Sequence, residues 1–148
     1  MNKGFFGLAA VTAFAITGCT SIQVEPLSVL PTSICIQENP KVQVDDFVPV
    51  LQKGLTNRGI ASMVYKQPPP TCEYRLTYVA YRSWDFVTYL SKADLEIFDA
   101  QNRSVGAAHY HLRGKGGLAM TKWQSTETKM APVLDQLLGQ ITPVSKGR

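Results

Sequence analysis

His109 and His111 stand two residues apart, a spacing that puts both imidazoles on one side of a strand and begins a zinc or copper site. A structural zinc needs four protein ligands and a catalytic one usually three, so Asp94 or Glu96 would have to complete the set. The plainer expectation is a polar sheet face with one Asp94–His109 cross-strand pair and no metal ligands. Arg113-Gly114-Lys115-Gly116-Gly117 offers backbone amides to an anion, but it lacks Walker spacing and no long helix follows directly. It reads as a glycine bend leaving a strand. No G-x-S-x-G elbow, HExxH helix or cysteine–histidine nucleophile is present, so no catalytic residue and no cofactor is assigned.

Aromatic and charged residues make a second candidate. Tyr74, Tyr78, Tyr81, Trp84, Phe86 and Tyr89 crowd one segment, and most of them should be core. Arg82, Trp84 and Asp85 fall at a strand exit, while Lys115, Lys122 and Trp123 fall in a later loop. Together these six have the mixed composition of a binding surface.

The three cysteines divide into one and two. Lys3 and the uncharged run Gly4 to Ala15 read as a secretory leader that is too short to span a bilayer, which takes about 20 apolar residues. The leader ends in Ile16-Thr17-Gly18-Cys19, which resembles the bacterial lipobox. That resemblance implies a diacylglycerol on the Cys19 thiol, cleavage before Cys19 and acylation of the new amine. At about 0.8 kcal/mol per buried methylene, two or three chains anchor a protein without a spanning helix. The residue after Cys19 is Thr20 rather than the aspartate that commonly retains lipoproteins at the inner membrane. The destination implied is the periplasmic leaflet of the outer membrane.

Cys35 and Cys72 then remain, and an oxidising periplasm favours joining them. Without C-x-x-C spacing the pair reads as structural rather than redox-active, and closing a loop of this length contributes roughly 4 kcal/mol. The chain has 148 residues, 45% hydrophobic, with a net charge of +4 that falls by one when Lys3 leaves with the leader. That is one small domain, too apolar for disorder and without the basic block a nucleic-acid partner would need.

The elements follow from periodicity. Residues 19–32 carry Pro26, Pro31 and several hydroxyls, and read as a lipidated tether, although Ile22, Val24, Leu27, Val29 and Leu30 would equally suit docking along the sheet. Ser33 to Gln37 is a strand. Asp45 or Asp46 caps a helix with Phe47, Val50, Leu51 and Leu55 on one face, and Asn57-Arg58-Gly59 stops it. Ile60 to Lys66 returns as a strand in a βαβ-like crossover. Glu73 to Trp84 alternates as a half-buried strand. Leu90 to Asp99 and Arg103 to Arg113 make a hairpin whose loop at Gln101-Asn102 sets Ala93 opposite Tyr110, Leu95 opposite Ala108, Ile97 opposite Gly106 and Asp94 opposite His109. Leu118 to Gln124 is a loop or a further short strand. Met130, Val133, Leu134, Leu137, Leu138 and Ile141 stripe a last helix, with Thr126 or Thr128 as caps and Pro132 limiting how early it becomes regular.

The expected fold is α+β: a single mixed or antiparallel sheet of about four to five strands with two helices on one face, in the order β-α-β-β-β-β-α. Its parts are a signal peptide (1–18), a tether (19–32), a compact domain (33–142) and a flexible tail (143–148). Glu38-Asn39-Pro40-Lys41-Val42, Arg82-Ser83-Trp84-Asp85 and Gly114-Lys115-Gly116-Gly117-Leu118, with Lys122-Trp123, resemble strings of an uncharacterised family of short Gram-negative bacterial lipoproteins. The resemblance implies a lipoprotein precursor and supplies no catalytic residues. The functional expectation is a non-catalytic envelope module, bound to the membrane through acyl chains on Cys19 and meeting another envelope protein. Small-ligand or metal binding on the polar sheet face and an envelope hydrolase are the alternatives.

Overall fold

A computed structural model describes residues 20–114 and 120–139. It is a single six-stranded mixed sheet with two helices packed on one face. In chain order the elements are β1 (Thr20–Glu25), β2 (Ser33–Gln37), α1 (Phe47–Thr56), β3 (Ala61–Tyr65), β4 (Tyr74–Asp85), β5 (Val87–Asp99), β6 (Ser104–Leu112), a 3-10 turn (Met120–Trp123) and α2 (Thr126–Leu137). The strands lie in the order β1-β6-β5-β4-β2-β3.

The strand count exceeds the expected four to five because the segment read as a tether supplies β1. It pairs antiparallel with β6 from Thr20↔Leu112 to Glu25↔Ala107. Ile22 and Val24 pack against the core, so alternation over four residues was enough to make a strand once a partner edge was available. The chain then crosses the end of α2, where the Leu27 amide donates to the Leu137 carbonyl at 2.8 Å. Gly106 permits this crossing, since a Cβ there would press on both Leu27 and Leu137.

The βαβ unit forms as expected: β2 and β3 are parallel neighbours, and β2 also runs parallel to β4. Phe47, Leu51 and Leu55 of α1 are buried beneath it, and Gly59 leaves the helix with φ 72°. Asp46 precedes α1 without capping it; its carboxylate accepts from the Thr126 hydroxyl at 2.9 Å and so links the starts of the two helices. Gly54 lies where α1 meets α2, and any Cβ there would run into Leu134. The cap of α2 is Ser125, whose hydroxyl accepts from the Thr128 amide at 3.1 Å, in place of the expected Thr126 or Thr128. The helix runs through Pro132, with packing of Met130, Val133, Leu134 and Leu137 offsetting the missing donor. Ile141 and the tail lie outside the described residues.

Cys35 and Cys72 are joined, with their Cα atoms 6.1 Å apart. The bridge ties β2 to the entrance of β4. In the Glu38-Asn39-Pro40 turn, the Asn39 side-chain amide donates to the Tyr78 carbonyl at 2.9 Å, which makes that string a brace between β2 and β4.

Candidate functional site

The β5–β6 register matches the expected one at Ala93↔Tyr110, Leu95↔Ala108, Ile97↔Gly106 and Asp94↔His109. The apolar partners turn inward and the polar ones outward. On the outer face the Asp94 carboxylate lies 2.8 Å from His109 Nδ1 and 3.0 Å from Lys92 Nζ. Burial pushes the Asp94 carboxyl upward, but hydrogen bonds from His109 and Lys92 outweigh this and hold it below the usual carboxylate range. His111 lines the same shallow depression as Lys92, Asp94, His109 and Arg113. Among the described residues, no group of three or more His, Cys, Asp or Glu side chains converges as a metal site.

The six residues read as a binding surface do not behave alike. β4 and β5 form a long hairpin whose ladder slips between Tyr81 and Arg82. Ser91 is the extra residue, and its hydroxyl donates to the Tyr81 carbonyl at 3.1 Å. Beyond the slip, alternation no longer matches burial. Trp84 shares parity with the buried Leu76, Tyr78 and Ala80, yet it is 73% exposed. Arg82 is also exposed and donates to the Gln43 side chain at 3.2 Å.

Asp85, Lys122 and Trp123 come together as the brace of this hairpin. Lys122, 0% exposed, pairs with the Asp85 carboxylate and sits 4.6 Å from the centre of the Trp123 ring. Trp123 Nε1 donates to the Asp85 carbonyl at 3.3 Å. The 3-10 turn that carries Lys122 and Trp123 therefore replaces the loop or strand expected at Leu118 to Gln124. Lys115 and Cys19 lie outside the described residues, as do Gly116, Gly117 and Leu118.

Lys129 was missed as a site residue. It is 3% exposed and donates to the Leu90 and Lys122 carbonyls at 2.9 and 2.6 Å, with its ammonium 5.1 Å from the centre of the Tyr89 ring. Burial lowers it from the ordinary lysine range to about 8. The signal was its spacing of four from Val133, which places it on the apolar stripe of α2. An open cleft of about 380 Å³ lies beside this brace, lined in part by Asp45, Asp46, Arg82, Tyr89 and Trp123. Its walls are polar and open to solvent, suited to contact along a surface rather than enclosure of a small molecule.

The hairpin ends on Phe86, which takes a left-handed φ of 62° and is 84% exposed. Val87 beside it and Met120 on the bracing turn are exposed too. Among the described residues, no helix is long and apolar enough to cross a membrane.

No protein-family model matches the chain, and no curated protein does. Among solved structures the chain is similar to TolB from Acinetobacter baumannii, at 11% identity over 76% of this chain and 31% of that one, with a TM-score of 0.41. It thus spans under a third of that TolB. It is also similar to a minor lipoprotein from Acinetobacter baumannii, at 17% identity over 70% of this chain and 84% of that one, with a TM-score of 0.30. These are distant likenesses in the course of the backbone.

Proposed function

We propose that the chain is the precursor of a lipid-anchored periplasmic protein, held at the outer membrane by acyl chains on Cys19 and acting as a non-catalytic interaction module for another envelope protein. The observation that carries this reading is the junction of motif and fold. Ile16-Thr17-Gly18-Cys19 completes a lipobox, and the next residue opens an ordered strand. A leader followed at once by a domain is the arrangement of a processed, anchored precursor. The Cys35–Cys72 bridge suits an oxidising compartment.

The module reading draws on the sheet edge. β3 is the last strand, its outer side carries no paired strand among the described residues, and Met63 and Val64 on it are exposed. Such an edge can accept a strand or an apolar surface from a partner. The acid and base groups of the outer face are engaged with one another at Lys92, Asp94 and His109.

Incorporation of radiolabelled palmitate in cells tests the anchor. Label on the wild type and none on Cys19→Ala is the expected result; equal processing and fractionation of both would overturn it. Thr20→Asp should move the labelled protein to the inner membrane. A photocrosslinker at Met63 should capture an envelope protein reproducibly, whereas capture that is equal from Met63 and from Glu96 on the outer face would reject the β3 edge as the docking surface.

A further inference from the structure

The sheet registers put one end of the molecule next to Cys19. Thr20 pairs with Leu112, and Ser21 with His111, which in turn pairs with Lys92 of β5. β1 runs away from that end, so its start faces the same direction as the hairpin tip. From Lys92 the β4–β5 hairpin continues five more residues to Val87, roughly 15 Å past the row where β1 begins. Thr20 is held in the sheet by its pairing with Leu112.

The large exposed apolar side chains concentrate at this same end. Among the described residues, Phe86 at 84% and Trp84 and Met120 at 73% each are the most exposed of the large hydrophobics, and Val87 follows Phe86. Lys122 and Trp123 pack on Asp85, the residue next to Phe86, and so hold the turn itself in one place. Phe86 holds a backbone conformation that disfavours bulky residues, at a position where a polar residue or glycine would suit water better.

We infer that the tip formed by Trp84, Phe86 and Val87, with Met120, is a second membrane contact that lies in the lipid interface beside the acyl anchor. This rests on the lipid-anchored reading above. With no spacer between Cys19 and β1, a sheet standing on its anchor drives the hairpin into the bilayer, and a tilted sheet lays it in the interfacial zone. Tryptophan and phenylalanine favour that zone. Arg82 and Arg113, both exposed near this end, meet lipid phosphates in either posture. The domain is then fixed in orientation by two points, with the β5–β6 turn pointed away from the membrane.

The test uses the full lipidated protein reconstituted in vesicles of phosphatidylethanolamine and phosphatidylglycerol, with and without brominated acyl chains. Flotation with the vesicles reports the anchor alone. Trp84 emission, isolated as the difference between wild type and Trp84→Phe, reports the tip. Brominated lipid should quench most of the Trp84 emission and shift the remainder to the blue. Phe86→Asn should weaken that quenching while flotation and thermal stability hold. Floating protein whose Trp84 stays open to aqueous acrylamide and unquenched by brominated lipid overturns this inference and leaves the anchor standing; a tip reserved for a partner protein would give that outcome. Protein that carries no acyl label and does not float overturns both.

Discussion

The two hairpin turns at opposite ends of the sheet meet one backbone demand in opposite ways. Asn102, in the β5–β6 turn, and Phe86, in the β4–β5 turn, have φ values of 59° and 62°. Asparagine is an ordinary occupant of the left-handed region, and its neighbourhood is closed by hydrogen bonds. Asp99 accepts from the amides of Gln101 and Arg103 at 2.9 Å each, and from Arg103 Nε at 2.8 Å, while Arg75 donates to the Asn102 side chain at 2.5 Å. Phenylalanine gains nothing comparable and presents its ring to solvent. The far turn is built for water and for stability. The near turn carries conformational strain and exposed apolar surface, a combination that marks function rather than folding.

The largest effect should come from the far end, where Cys72 enters β4 and the disulfide adds to the closed turn. Replacing both Cys35 and Cys72 by serine should cost about 4 kcal/mol, read by chemical denaturation, and should loosen the far end first in hydrogen exchange. Loosening that began at the hairpin tip would reverse the contrast. At the near end, Asp85→Ala removes the carboxylate paired with buried Lys122 and should cost about 2 kcal/mol, because that ion pair is lost without the lysine gaining solvent. The double change Asp85→Ala with Lys122→Met should recover much of the loss.

The two ends also answer to different pH ranges. Lys129 has its folded value lowered to about 8 from 10.5, so the unfolded chain binds the extra proton between those values. Stability should therefore rise with pH from about 8 toward 10.5, by at most about 1.4 kcal/mol per pH unit, and Lys129→Met should flatten the rise. Tyr110 works the other way above pH 10, since burial raises it to about 12 and the folded state then holds the proton. At the far turn, the Arg103 amide holds Asp99 below the usual carboxylate range against the opposing effect of burial. Its contribution is present above the unfolded carboxylate value and is lost as the pH falls through the folded one. Thermal scans from acid to alkaline pH would separate the two ends.

The smallest effects isolate the turns themselves. Asn102→Val should cost about 1 kcal/mol or slightly more, because a β-branched residue is forced into the left-handed region. Phe86→Asn should cost nothing and can add a few tenths of a kcal/mol. Equal losses from the two changes would mean that Phe86 is needed for folding.

Some of this contrast was open to inspection in the linear chain and some was not. The β5–β6 register came from turn chemistry at Gln101-Asn102 and a two-residue period, both local properties, and it holds pair by pair. The helix faces and the cysteine pair followed from spacing and compartment in the same way. β1 escaped notice because its alternation is short and its pairing edge lies some ninety residues downstream on β6. Trp84 was named for a contact surface by its place at a strand exit, and it is exposed although it shares parity with the buried Leu76, Tyr78 and Ala80; the ladder slip at Ser91 on the partner strand, a feature of pairing rather than of β4 itself, lies between them. Asp85, Lys122 and Trp123 were named by composition as a contact surface, whereas their meeting beside the hairpin turn is set by the 3-10 turn that follows β6.

The amino-acid order by itself determined the two helices, strands β2 to β6 and the β5–β6 register, because period and turn preferences act over a few residues. Only the tertiary structure decided that β1 starts toward the β4–β5 turn, that Lys129 is buried and that Trp84 and Phe86 are exposed together. Those outcomes depend on strand order and on a bulge, and both are settled by packing between segments far apart in the chain.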